Sequence, residues 1–243
     1  MRADDPAHVR EQYATEDGLA ARASIYGGKG IDARQVVIDE LARAEPLHVL
    51  EVGCGWGELA RRIHDELGCT VVALDQSKRM VELALQRGVD ARVGDVQDLA
   101  YDDESFDAVV AAWMLYHVPQ LDRALAECAR VLRGGGPFVA VTNAAADFAE
   151  LWELVGRDTS DRLLTFRSEN GEDLLGRHFE HVERRDLEWA VTFPDTDAVR
   201  RYVGSSSLGA PYLRNVPELH EPLVSRKRVT VFVATKEEEL VSD

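Results

Sequence analysis

Short apolar runs alternate with stretches of helical spacing through residues 1–143. Leu47–Val52, Thr70–Leu74, Ala91–Val93, Phe106–Trp113 and Phe138–Thr142 read as strands. Between them, Glu58–Leu67, Ser77–Arg87 and Leu121–Leu132 place apolar residues at helical intervals. Ser77 reads as an N-cap, and Gly88 and Gly134–Gly136 as stop signals. Residues 1–45 are polar and helical in pattern, with apolar positions at Val36, Val37, Ile38 and Leu41. Five strands alternating with helices predict βαβ units and a parallel sheet. Such strands are buried on both faces, so continuous Val/Leu/Ala runs are expected rather than alternation. The pattern then changes. Residues 144–180 predict mostly helix, His181–Val191 and Val229–Lys236 two more strands, and Asp195–Ser207 a helix. No repeat or linker interrupts the chain, so residues 1–243 are expected to form a single domain.

Composition narrows the function more than the fold. The 243 residues carry 28 Lys and Arg against 44 Asp and Glu, a formal charge of −16. Grip on nucleic acid rests on neutralising phosphates, so this balance argues against a nucleic-acid partner. It argues equally against a polybasic membrane anchor. The triplet Arg226-Lys227-Arg228 reads as a solvated strand entry. Cys54, Cys69 and Cys128 show no metal-ligand spacing, so neither a disulfide framework nor a metal site is expected. The first residues lack an apolar signal segment, and the longest apolar run is too short to span a bilayer. A cytoplasmic protein is the expectation.

The chemistry concentrates where strands end. Val49-Leu-Glu-Val-Gly-Cys-Gly-Trp-Gly57 runs from strand through a glycine loop into a helix. Gly53, Gly55 and Gly57 are spaced GxGxG, which departs from the GxGxxG of dinucleotide sites. Asp75 closes the second strand and suits a ribose diol, whose two hydroxyls one carboxylate can accept. Asp95, after the third strand, either accepts from the amine of a base or closes an Asx-turn. Glu51, Asp75 and Asp95 thus fall at the C-terminal ends of successive strands, the edge where open α/β sheets bind ligands. Three acids suit a ligand with an amine, a ribose and an adenine, and they repel a pyrophosphate.

These motifs, with Val72-Ala-Leu-Asp-Gln-Ser77, Gly94-Asp-Val-Gln-Asp-Leu99 and Asp103–Val109 leading into Trp113-Met-Leu-Tyr-His-Val118, resemble a class I S-adenosylmethionine-dependent methyltransferase. Within that family the chain is most similar to the small-molecule group that includes quinone-biosynthesis C-methyltransferases. The resemblance is specific over residues 46–143. It implies a Rossmann-like, mostly parallel seven-stranded sheet with an antiparallel last strand and helices on both faces. Residues 1–45 would be a helical lid, 46–143 the cofactor core, and 144–243 the substrate-side part. S-adenosylmethionine is the implied cofactor, and a small molecule accepting methyl on O, N or C the implied partner.

Carried over by position, Glu51 would orient the methionine amino group. Gly53, Cys54, Gly55 and Gly57 would form the loop around the methionine part. Asp75 would hold the ribose, and Gln76, Asp95 and Val96 would meet the adenine. The Ala112 carbonyl would face the cofactor amine. Met114 and Trp113 would line the pocket. From the lid, Tyr13 or Tyr26 would shield the cofactor or recognise a substrate ring, with Arg22 pairing with the methionine carboxylate, or the tyrosines would simply anchor that lid on the sheet. His117 is either a base on the substrate side or a residue packed beneath the cofactor. His220 and Tyr212 read as surface residues, Trp152 and Trp189 as core, and the acidic runs at 102–104 and 237–239 as solvated. The competing readings are a non-catalytic S-adenosylmethionine-binding or interaction module, an RNA methyltransferase and an NAD-dependent oxidoreductase.

Overall fold

The computed structural model describes residues 4–5, 9, 30–158 and 164–237. A seven-stranded sheet runs in the order β3-β2-β1-β4-β5-β7-β6. Its strands are β1 (His48–Val52), β2 (Thr70–Asp75), β3 (Asp90–Val93), β4 (Ala108–Ala112), β5 (Pro137–Asn143), β6 (His181–Phe193) and β7 (Leu223–Thr235). β1 to β5 pair in parallel, and β7 lies antiparallel to both β5 and β6. The antiparallel last strand is as the sequence implies. The helices are α1 (Ala33–Ala44), α2 (Glu58–Leu67), α3 (Lys78–Gln86), α4 (Leu121–Val131), α5 (Ala149–Leu154), α6 (Gly171–Leu175) and α7 (Thr196–Gly204). Ser77 caps α3 by accepting from the Met80 N–H. Among the described residues no helix is long and apolar enough to cross a membrane.

Strand alternation divides the core. Val49, Ala108, Val110, Val139, Val141, Val229 and Val231 join the cluster under α1 and α2. Leu50, Val52, Val109, Ala111, Phe138, Ala140 and Phe232 face the opposite cluster, with α4 and Phe166. Side chains two apart share a face. Glu51, Asn143 and Lys227 therefore share the face of Val49, Val141 and Val229. Trp189 sits opposite Lys227 in the β6–β7 ladder and packs on the same cluster.

Three expectations are corrected. Residues 144–180 are not mostly helical: α5 and α6 are short, and Gly156, at φ 73°, follows α5. Tertiary contacts hold the chain beyond it, since the Thr142 hydroxyl donates to the Phe166 carbonyl and the Ser168 N–H to the Asn143 carbonyl. The fourth strand is shorter than Phe106–Trp113, because Phe106 bridges only to Leu132 and Trp113 turns out of the strand at φ 54°. Lys227 is not solvated. It is 5% exposed, and its Nζ donates to Asp147 Oδ2 at 2.6 Å.

Candidate active site

The glycine loop is built to turn, not to cradle an anion. Gly53, Gly55 and Gly57 take φ of 68°, 53° and 80°, values that disfavour any side chain. The Gly53 and Cys54 N–H groups both donate to the Leu74 carbonyl, at 2.7 and 3.0 Å. The Gly55 N–H donates to Asp75 Oδ2 at 2.9 Å, and the Gly57 N–H to the Cys54 carbonyl at 3.0 Å. Four loop amides are thus spent inside the protein. A pyrophosphate would need such donors, so the NAD reading loses its chemical basis.

The loop opens onto a cavity of about 610 Å³ at the C-terminal edge of the sheet. Its lining includes Glu51, Gly53, Cys54, Gly55, Asp75, Gln76, Asp95, Val96, Ala112, Met114 and His117. Eleven residues expected from the sequence are brought to one place. Gly57 is not among the lining residues. A Cβ there would meet Ala84 Cβ at 2.8 Å, so Gly57 serves the close packing of α2 on α3. Tyr26, Tyr13 and Arg22 lie outside the described residues. Tyr212 and His220 do not line the cavity.

Glu51 is the unusual group. It is 3% exposed, and its Oε2 has no hydrogen-bond partner among the described residues. Burial pushes its carboxyl up to about 8, against the opposing pull of the Ala60 N–H and of Arg34. A buried carboxyl oxygen with nothing to accept from is costly unless a ligand supplies a donor. Asp75 is also raised by burial, held back by the Ser77 and Gly55 N–H groups. It accepts from the Ser77 N–H at 2.8 Å, so it steadies both the loop and the entry to α3. Each of its oxygens retains a further lone pair for a ligand. Asp95 is exposed and closes an Asx-turn, accepting from the Gln97 N–H at 2.9 Å and from the Gln97 side-chain amide. Burial, Glu51 and Asp75 together push the Cys54 thiol up, which keeps it protonated.

A second group of lining residues was not legible from motifs. Arg34 lines the cavity, lies 5.3 Å from the centre of the Trp113 ring, and pairs with Glu58 at 3.5 Å. Trp189 lines it rather than being plain core, resting on Gly30. Asn143, Tyr202 and Lys227 complete that end. Trp189 read as core, and a basic triplet masked Lys227. Only the β6–β7 register reveals that both face the pocket. Among the described residues, no group of three or more His, Cys, Asp or Glu could hold a metal.

Residues 50–140 match the family model described as a methyltransferase domain. The matched segment runs from within β1 to within β5 and includes the glycine loop and its acids. The chain is 32% identical over 174 residues to a sarcosine/dimethylglycine N-methyltransferase of Halorhodospira halochloris, covering 60% of this chain and 62% of that protein. It is 36% identical over 134 residues to a ubiquinone biosynthesis O-methyltransferase of Xanthomonas oryzae pv. oryzae, covering 52% of this chain and 56% of that one. The chain thus matches somewhat over half the length of these curated relatives. The fold is similar to that of Haemonchus contortus phosphoethanolamine N-methyltransferase 2, solved with phosphomonomethylethanolamine and S-adenosylhomocysteine. The TM-score is 0.61 at 19% identity, over 94% of this chain and 60% of that one.

Proposed function

We propose that the chain binds S-adenosylmethionine and transfers its methyl group to a small molecule, releasing S-adenosylhomocysteine. The observation that carries this reading is the Oε2 of buried Glu51, without a partner among the described residues, inside a cavity whose loop amides are already spent. A cationic amino group satisfies such an oxygen, and a phosphate does not. When bound, S-adenosylmethionine supplies a methyl carbon already activated by the sulfonium charge. The protein's part is then to hold and align. Glu51 takes the amino group, and Arg34, which lines the same cavity, faces the carboxylate. Asp75 takes the ribose hydroxyls, while Gln76, Asp95 and Val96 border the base. Met114 and the Ala112 carbonyl close the pocket beneath. His117, from the same wall, is the group proposed to take a proton from the acceptor.

The −16 charge and the three free cysteines support a cytoplasmic enzyme that works on a metabolite without nucleic acid. One sheet collects strands from residue 48 to residue 235, which supports residues 1–243 acting as one domain. The test is calorimetry with S-adenosylmethionine, S-adenosylhomocysteine and NAD on wild type and Glu51→Gln. Binding of the first two, weakened in the variant, supports the reading. Binding of NAD alone removes it. Asp75→Ala is a poorer probe, because Asp75 also anchors Gly55 and Ser77.

A further inference from the structure

The far end of the cavity carries its own chemical signature. Asn143 Oδ1 accepts from Trp113 Nε1 at 3.2 Å and from Lys227 Nζ at 2.9 Å. An indole N–H and an ammonium are donors only, so the amide oxygen must face them. This fixes the orientation of the Asn143 side chain and turns its NH₂ group the other way. No described residue accepts from that nitrogen. The pocket wall there thus offers hydrogen-bond donors, with no side-chain oxygen of Asn143 left over.

Charge points the same way. The Lys227 ammonium is held by Asp147, and Arg34 lies against the Trp113 ring. The aromatic face that would otherwise attract a cationic ligand already has a cation on it. Planar walls complete the end: Trp113, Trp189 and the Tyr202 ring. Trp113 holds its position at φ 54°, and Phe148, whose ring centre lies 5.2 Å from Lys227 Nζ, at φ 53°. Two residues in a left-handed conformation that side chains disfavour therefore bracket the Asn143–Lys227 pair. Such strain persists where the surroundings over-determine it, as they do at binding sites.

We infer that this end is the acceptor subsite, and that it takes a flat ring bearing an oxygen, as a hydroxyl, carbonyl or carboxylate, in preference to an amine. The Asn143 NH₂ donates to that oxygen, and Trp189 flanks the ring. The assignment rests on the methyl-transfer reading and sharpens it, because it selects an oxygen-bearing acceptor over the amine acceptors that the same fold also serves.

The test uses three ring-bearing probes, phenol, benzoate and benzylamine, titrated at pH 7 into protein saturated with S-adenosylhomocysteine. Phenol or benzoate is expected to bind at least tenfold tighter than benzylamine. Phenol alone would mark a neutral oxygen, and benzoate alone a carboxylate. Asn143→Asp keeps an oxygen toward Trp113 and Lys227 and replaces the donor with an acceptor. It should reverse the order of oxygen and amine probes while shifting S-adenosylhomocysteine binding less than threefold. Trp189→Leu, which leaves the polar pair untouched, should weaken all three. Tighter binding of benzylamine to wild type, no measurable binding of either oxygen probe, or an unchanged order in Asn143→Asp overturns the assignment. Failure of S-adenosylhomocysteine itself to bind wild type would instead bring down the methyl-transfer reading, and the subsite with it.

Discussion

The two ends of the cavity are made in different ways. At the glycine-loop end, backbone conformation and three acids come from one stretch, residues 51–95, on neighbouring strands. At the far end, Trp113, Asn143, Trp189 and Lys227 come from four separate segments and meet through strand register. Among the described residues, the first end leaves one buried oxygen unsatisfied. The second satisfies its buried ammonium inside the protein. A site that waits for its ligand trades stability for binding. A site that is pre-paired holds its shape and selects by geometry.

Disrupting the pre-paired end should have the largest effect on the fold. Lys227→Met leaves Asp147 buried without its cation, which typically costs about 3–5 kcal/mol. Burial already raises the Asp147 carboxyl, and Lys227 opposes that shift. Denaturant unfolding should show the loss, while S-adenosylhomocysteine binding at a permissive temperature stays near wild type. An equally large loss of that binding would mean that the two ends are not separable.

The waiting end should behave in reverse. Glu51→Gln should weaken S-adenosylmethionine by roughly 1.5–3 kcal/mol, the scale of a charged hydrogen bond, as read by calorimetry. It should also change the pH dependence of stability. Burial pushes the folded carboxyl up to about 8 from its ordinary value of 4.5, so between these values the folded state binds the extra proton. Stability of the ligand-free protein should therefore fall as pH rises from about 5 to 8, by at most about 1.4 kcal/mol per pH unit. Glu51→Gln should flatten that slope. For the same reason, binding at pH 7 should release a proton in the wild type, visible as a buffer-dependent heat.

Smaller effects refine the boundary between the ends. Gly53→Ala places a Cβ 2.5 Å from Met114 at a positive φ, and should cost about 1–3 kcal/mol in thermal unfolding. Gln97→Ala removes only the clasp between Asp95 and the Gln120 N–H, worth about 0.5–1 kcal/mol, with adenine contacts little changed. A large affinity loss there would show that Asp95 needs the Gln97 side chain, beyond the backbone Asx-turn that Ala preserves, to meet the base.

Most of the glycine-loop end was legible in the sequence. A strand ending in glycines and an acid at each strand tip are local signals, because one short segment carries both the backbone turn and the chemistry. Gly57 shows the limit of such reading. It shares the spacing of its neighbours, yet it meets Ala84 rather than the cavity. The far end was illegible for a definite reason. Lys227 sits in a basic triplet, and strand alternation turns it inward while Arg226 stays exposed and pairs with Glu188. Which of three consecutive basic residues faces inward depends on the pairing of β7 with β5 and β6, and no window of sequence contains that information. The segment after β5 failed likewise, since its docking on Thr142 and Asn143 overrides its helical pattern.

The position of β7 also carries a kinetic consequence. The strand comes after the other six in the chain but is inserted between β5 and β6. Its rungs with β5 close loops of about 90 residues, and such non-local pairings form slowly. The glycine-loop end needs only strands close together in sequence. A refolding chain should thus regain its nucleoside-binding half first and seat Lys227 last, so that recovery of acceptor selectivity lags behind recovery of cofactor affinity.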